Sequence, residues 1–115
     1  MLLYRRKGNV NAQVKKGVLK LCVLALLEGR DWYGYEISDY LTRLIDIADG
    51  SVYPLLRKMK SDGLLSTYLQ EESGGPPRKY YSLTGLGRET LKAEREEYLS
   101  FSHTVNNLLE GKTDD

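Results

Sequence analysis

The sequence predicts a mainly α chain with a small β-hairpin and a long C-terminal helix. Three observations carry this. Helix-period apolar stripes recur before residue 60, two strand-forming runs flank a Gly/Pro-rich turn at 71–77, and one uninterrupted helical pattern fills most of the last 30 residues.

The elements follow in order. Residues 1–12 are polar and basic, with Arg5, Arg6, Lys7, Gly8, Asn9 and Asn11, and read as a flexible arm. From about Gln13 to Leu27 one helical stripe holds Val14, Val18, Leu21 and Ala25. A second holds Leu19, Val23, Leu26 and Leu27. A helix apolar on more than one face needs cover on more than one side, which a chain of 115 residues has little material to supply. A partner chain is the expected source.

Glu28-Gly29-Arg30-Asp31 breaks that helix, with Gly29 a candidate C-cap. Trp32 and Tyr35 are expected in the core, and a second helix ends near Leu44 or Ile45. Its inward stripe is expected to be Ile37, Tyr40, Leu41 and Leu44. A third helix begins between Asp49 and Ser51, since Pro54 lacks an N–H and is tolerated best in a first turn. Val52, Leu55, Leu56 and Met59 form its inner stripe. Ser51, Tyr53, Pro54, Arg57, Lys58 and Lys60 lie opposite, and Gly63 is placed to stop it in a Schellman turn.

Residues 65–70 and 78–83 are rich in strand formers and make the hairpin. Thr84 is a candidate N-cap for a last helix reaching about Leu109, with Gly111 ending it; Gly87 stands where a capping box would need Glu or Gln. Such a helix is roughly 39 Å long at ~1.5 Å per residue, against a radius of gyration of about 13 Å for a small domain. It must overhang its own domain. Leu91, Tyr98, Phe101, Val105 and Leu108 trace a coiled-coil-like seam along it, interrupted by Glu94. Together with Val14, Val18 and Leu21 of the first helix, they are the candidate dimer interface.

The domain organisation expected is therefore a basic arm (1–12), a three-helix and hairpin domain (13–83), a dimerisation helix (84–110) and a short tail (111–115). Three helices followed by a hairpin with Arg78 and Lys79 at its base is the order of a winged helix–turn–helix domain, in which the second helix of the motif enters the major groove. Ser51 and Tyr53 can hydrogen-bond to phosphates or base edges. Arg57, Lys58, Lys60, Arg78 and Lys79 supply charge, mainly to phosphates. Lys15 and Lys16 are further phosphate candidates, and equally well solvated charges.

Other chemistries find little support. One cysteine, Cys22, and one histidine, His103, build neither a disulfide framework nor a zinc site, and no nucleophile–base pair suggests an enzyme. No cofactor or metal is expected. The apolar run from Gly17 to Leu27 is too short for a membrane span and lacks a cleavage signal, so a cytoplasmic, non-membrane protein is expected.

Net charge is +1, which on its face disfavours a nucleic-acid partner, yet its distribution reverses that. Residues 1–30 carry seven cations and one acid, while residues 57–63 and 78–88 each carry three cations, with Asp62 their one acid. The balancing acids lie mainly on the second and last helices.

Four motifs resemble PadR-type transcriptional regulators over roughly residues 14–90. They are Gly34-Tyr35-Glu36-Ile37, the run from Gly50 to Met59 (GSVYPLLRKM), Asp62-Gly63-Leu64-Leu65, and the run from Arg78 to Thr84 (RKYYSLT). With one C-terminal helix, the chain is similar to the compact members of that family. The resemblance implies a homodimer in which each C-terminal helix packs on the partner's first helix. It also implies binding to double-stranded DNA through the third helix and wing, usually in repression. In compact members, flat aromatic ligands enter a pore between paired tryptophans at the dimer interface; Tyr98 stands at that position here. A small aromatic or amphipathic effector would then meet Val18, Tyr98 and Phe101. The alternative reading is a winged-helix protein-interaction module without a specific DNA site.

Overall fold

The computed structural model describes residues 12–48, 50–71 and 74–112. Four helices and three short strands follow in the order α1 (Ala12–Gly29), β1 (Trp32–Tyr33), α2 (Gly34–Ile45), α3 (Val52–Ser61), β2 (Leu65–Gln70), β3 (Arg78–Leu83) and α4 (Gly85–Leu109). The expected arm, Ala12 apart, and the tail beyond Lys112 lie outside the described residues.

One core joins every layer. α1 contributes Leu19, Val23, Leu24 and Leu27, α2 Ile37 and Leu41, and α3 Val52, Leu56 and Met59. Leu64 enters from the turn after α3, Leu65, Tyr81 and Leu83 from the sheet, and Leu91 from α4. Of the two stripes on α1, the one through Leu19, Val23 and Leu27 is buried within the chain. The other is open, with Val14 and Ala25 exposed and Val18 and Leu21 half-buried.

Three expectations are corrected here. Tyr40 and Leu44 do not face the core: both are exposed, and Ser38 is the buried neighbour of Ile37 and Leu41. Trp32 and Tyr33 form a third strand beside the expected two-stranded hairpin. They pair antiparallel with β3, Trp32 opposite Tyr81 and Tyr33 opposite Tyr80, making a three-stranded sheet in the order β1-β3-β2. Leu91 is only 2% exposed inside the chain's own core, so it is not available to a partner.

The turns that set α3 and the wing rest on specific backbone geometry. Asp46 closes α2 in the left-handed region at φ 53°, donating its N–H to the Thr42 carbonyl. At the end of α3, Gly63 adopts φ 82°, its N–H reaching the Lys60 carbonyl at 3.0 Å while Leu64 N–H reaches that of Met59 at 2.9 Å. These are the paired bonds of a Schellman stop, and the positive φ is why glycine stands there. The chain leaves α3 directly into β2. The two wing strands run in register from Leu65 opposite Leu83 to Gln70 opposite Arg78.

Thr84 starts α4 as expected: its hydroxyl oxygen accepts from Gly87 N–H at 2.9 Å and its O–H donates to the Gly63 carbonyl at 2.6 Å. The first turns of α4 press against the loop between α3 and β2, while the rest projects away. The molecule consequently measures 57 × 33 × 22 Å, with a radius of gyration of 17.0 Å.

Candidate nucleic-acid interface

α3 buries Val52, Leu56 and Met59 and turns Tyr53, Pro54, Arg57, Lys58 and Lys60 outward. The split follows from helical spacing, since apolar residues at i, i+4 and i+7 occupy one face and the polar set is left the other. Pro54 lies in the first turn, where its missing N–H breaks no intrahelical bond. Ser51, half-buried, immediately precedes the helix, its N–H donating to the Ala48 carbonyl at 3.2 Å.

The cations on this face differ in how they are held. Lys58 pairs with Asp62 one turn on at 3.2 Å, an exposed contact of little energetic weight. Lys60 donates to the Thr67 hydroxyl of β2 at 2.8 Å, tying the helix to the wing. Among the described residues no ion pair engages Arg57 or Lys79. Arg78 and Lys79 are both exposed at the start of β3, on opposite faces of the ribbon because strand residues alternate. The Arg78 guanidinium lies 4.9 Å from the centre of the Tyr33 ring.

Beneath Tyr53 and Arg57 lies Tyr81, whose Gly34-facing ring fills the space a side chain at 34 would need, 3.0 Å from an ideal Cβ. Burial pushes the Tyr81 phenol above its ordinary range, with Arg57 partly offsetting the rise and Tyr53 adding to it.

Of Lys15 and Lys16, the two α1 phosphate candidates, Lys16 faces this surface. It is exposed and borders a cavity of about 370 Å³ shared with Leu19, Ser51, Pro54 and Leu55. Lys15 is turned away: its ammonium bonds the backbone carbonyl of Asp46 and lies 4.0 Å from that residue's carboxylate. The C-terminal end of α2 holds it there, which removes Lys15 from the phosphate candidates.

Tyr35 was expected in the core but is 60% exposed, and it lines a polar cavity of about 360 Å³ with Ser38, Asp39, Thr42, Gly50 and Tyr53. It therefore flanks the start of α3 on the α2 side. The sequence signal for this was available: Tyr35 is two residues before Ile37, off the Ile37/Leu41 stripe.

A second candidate site lies between α1 and α4. A groove of about 330 Å³ is lined by Gly17, Lys20, Leu21, Glu94, Glu97, Tyr98 and Phe101. Tyr98 and Phe101 of the effector candidates line it, with Gly17 and Leu21 of α1, while Val18 does not. Lys20 pairs with Glu94 at 3.1 Å and Arg95 with Glu28 at 2.5 Å, fastening the near half of α4 to α1. Glu94, which breaks the apolar seam, is thus used within the chain. Beyond it Tyr98, Leu99, Phe101, Leu108 and Leu109 are exposed and Val105 half-buried. Among the described residues no group of three metal-ligating side chains is found, and no helix is long and apolar enough to cross a membrane.

Comparison with known proteins gives the fold its relatives. A model of the transcriptional regulator PadR-like family matches residues 23–93. A PadR-like transcriptional regulator from Bacillus cereus is similar at 40% identity and a TM-score of 0.79, the match covering 88% of this chain and all of that one. A PadR family transcription regulator from Clostridium difficile is 30% identical with a TM-score of 0.72, covering 81% of this chain and 99% of its own. An uncharacterised protein of Lysinibacillus sphaericus shares 26% identity over 106 residues, 89% of this chain and 97% of that protein.

Proposed function

Because the chain belongs to the PadR-like family of transcriptional regulators, we propose that it is a repressor that binds a pseudo-palindromic operator as a homodimer. The observation that carries this reading is a pair of adjoining basic elements, α3 and the wing. Arg57, Lys58 and Lys60 leave the outer face of α3, Arg78 and Lys79 leave the wing, and the Lys60–Thr67 bond joins the two at 2.8 Å. Tyr53, Pro54 and Ser51 stand at the groove-entering end of α3, with Lys16 beside them. The cations serve phosphates, and Ser51 and Tyr53 offer hydroxyls for base edges or backbone.

Dimerisation supplies the second half-site. The open stripe of α1 (Val14, Val18, Leu21) and the far seam of α4 (Tyr98, Phe101, Val105, Leu108) are apolar surfaces that the described residues leave uncovered. Packing the α4 seam of each copy on the open α1 stripe of the other covers both. The groove at Tyr98 and Phe101 would then be roofed by the partner and accept a flat aromatic or amphipathic effector that shifts the dimer between operator-competent and released forms. A regulator of this kind works in the compartment that holds the chromosome, the cytoplasm.

Mobility-shift titration against its own promoter region tests the reading. The expected result is binding at least a hundredfold tighter than to random duplex, on the scale of ~10³–10⁷ for specific regulators. Arg57→Ala should weaken it and lower the salt slope by about one. Equal affinity for promoter and random DNA would sink the operator, and an unchanged slope in Arg57→Ala would remove α3 from the phosphate contacts.

A further inference from the structure

On the face of the sheet away from Tyr81, three tyrosines form a row across all three strands. Tyr33 of β1 is opposite Tyr80 of β3, and Tyr80 is opposite Tyr68 of β2. The ring centres are 6.0 Å apart for Tyr33 and Tyr80, and 5.7 Å apart for the stacked pair Tyr80 and Tyr68. At the far end Tyr68 donates its hydroxyl proton to Asp31 at 2.7 Å, so the row is anchored back to the residue before β1. At the near end, Arg78, two residues before Tyr80 and therefore on the same face, places its guanidinium over the Tyr33 ring.

Arg78 is the first residue of β3, next to the Gly74-Gly75-Pro76-Pro77 turn, and its side chain is otherwise exposed. A long cation in such a place samples many rotamers, and ordering it on contact with a phosphate costs affinity. The ring of Tyr33 attracts the guanidinium through its negative π-face while leaving the N–H donors at the edges free. Resting on the Proposed function for Arg78, we infer that Tyr33 is a positioning residue: β1 contributes an aromatic platform that pre-orients the wing arginine for a DNA phosphate. Tyr80, tilted 36° to it, packs beside that platform and is itself stacked on Tyr68.

Two measurements on the full-length protein decide this. In the free protein, NMR of the Arg78 side chain should show upfield ring-current shifts at the δ-methylene and Nε–H, kept in Tyr33→Phe and lost in Tyr33→Leu. In titrations with a random-sequence 30-base-pair duplex at low salt, a probe suited to a sequence-independent contact, Tyr33→Leu should weaken binding about two- to fivefold. Its salt slope should stay unchanged, because the charge is still present. Tyr33→Phe should bind like wild type, since the ring and not the hydroxyl does the positioning. In an Arg78→Ala background, Tyr33→Leu should have no further effect.

Unshifted Arg78 resonances in the wild-type protein would overturn the platform whatever the DNA data say. An undiminished loss from Tyr33→Leu on top of Arg78→Ala would overturn it too, as would a Tyr33→Phe variant as weak as the Leu variant. If wild-type protein binds no duplex at all, it is the DNA-binding reading that fails, and the pre-orienting role for a phosphate falls with it; the ring-current shifts then report only whether the ring holds the guanidinium.

Discussion

Position 87 has room only for glycine. A Cβ there would lie 2.2 Å from the carbonyl oxygen of Leu64, backbone that cannot swing aside, and 3.1 Å from Leu83. Gly87→Ala should therefore destabilise the fold by about 1–3 kcal/mol, read as a lowered urea midpoint at constant slope. This also accounts for the incomplete capping signal in the sequence: the place for a Glu or Gln is taken by a close crossing of two backbones, which no local pattern reveals. Tyr81 gives a second test. Its phenol is raised above the ordinary value of 10 by burial, so the unfolded chain loses that proton first as pH rises. Its contribution to stability is complete below pH 10 and is lost as pH climbs through the folded value. Tyr81→Phe should show a shallower alkaline decline in urea midpoint than wild type; parallel profiles would refute the assignment. Tyr35 illustrates the limit of reading aromatics as core by default, since size and ring chemistry do not say which side of a helix a residue occupies.

Among the elements, α4 is the one whose two halves do different work. Through Leu91 its first turns complete the chain's own core, and the Lys20–Glu94 and Arg95–Glu28 pairs carry that attachment further along. Past them the seam is bare, with Phe101 69% and Leu108 75% exposed. Periodicity correctly grouped the seam residues into one stripe but could not tell that Leu91 is covered from within, because spacing identifies a face and not the body that covers it. β1 was illegible for another reason. Two residues have no period, and Trp32–Tyr33 becomes a strand only because β3 is alongside to pair with it. The hairpin, α3 and their connecting Schellman turn were legible, being set by local turn chemistry and alternation. For the proposed dimer, Phe101→Glu should move the mass measured by light scattering from two chains toward one while helical circular dichroism is retained. An unchanged mass would remove this seam from the interface.

At the scale of the whole molecule, the radius of gyration of 17.0 Å exceeds the roughly 13 Å expected of a compact chain this size. The excess is the projecting helix and not a loosened core, because the buried residues form one continuous cluster. The proposed dimer would gain stability from self-association by mass action, so thermal unfolding should shift upward as protein concentration is raised. A melting temperature independent of concentration would count against the dimer. The charge map belongs to this scale as well: a chain of net +1 can still address a polyanion, because Arg57, Lys58 and Lys60 of α3 and Arg78 and Lys79 of β3 are concentrated on two neighbouring elements.

The 57 Å long axis has a further consequence. If two copies join with each α4 crossing the partner's α1, the crossing point becomes a ruler for the operator. Sliding the crossing by one residue moves each reading head by about 1.5 Å, and a whole turn moves it by about 5.4 Å. Successive major-groove faces recur about every 34 Å along DNA, so the tolerance for such slippage is small compared with the repeat. The side chains from Tyr98 to Leu108 then act as calibration marks: by setting where one rod seats on the other, they set which half-site spacing the pair can span.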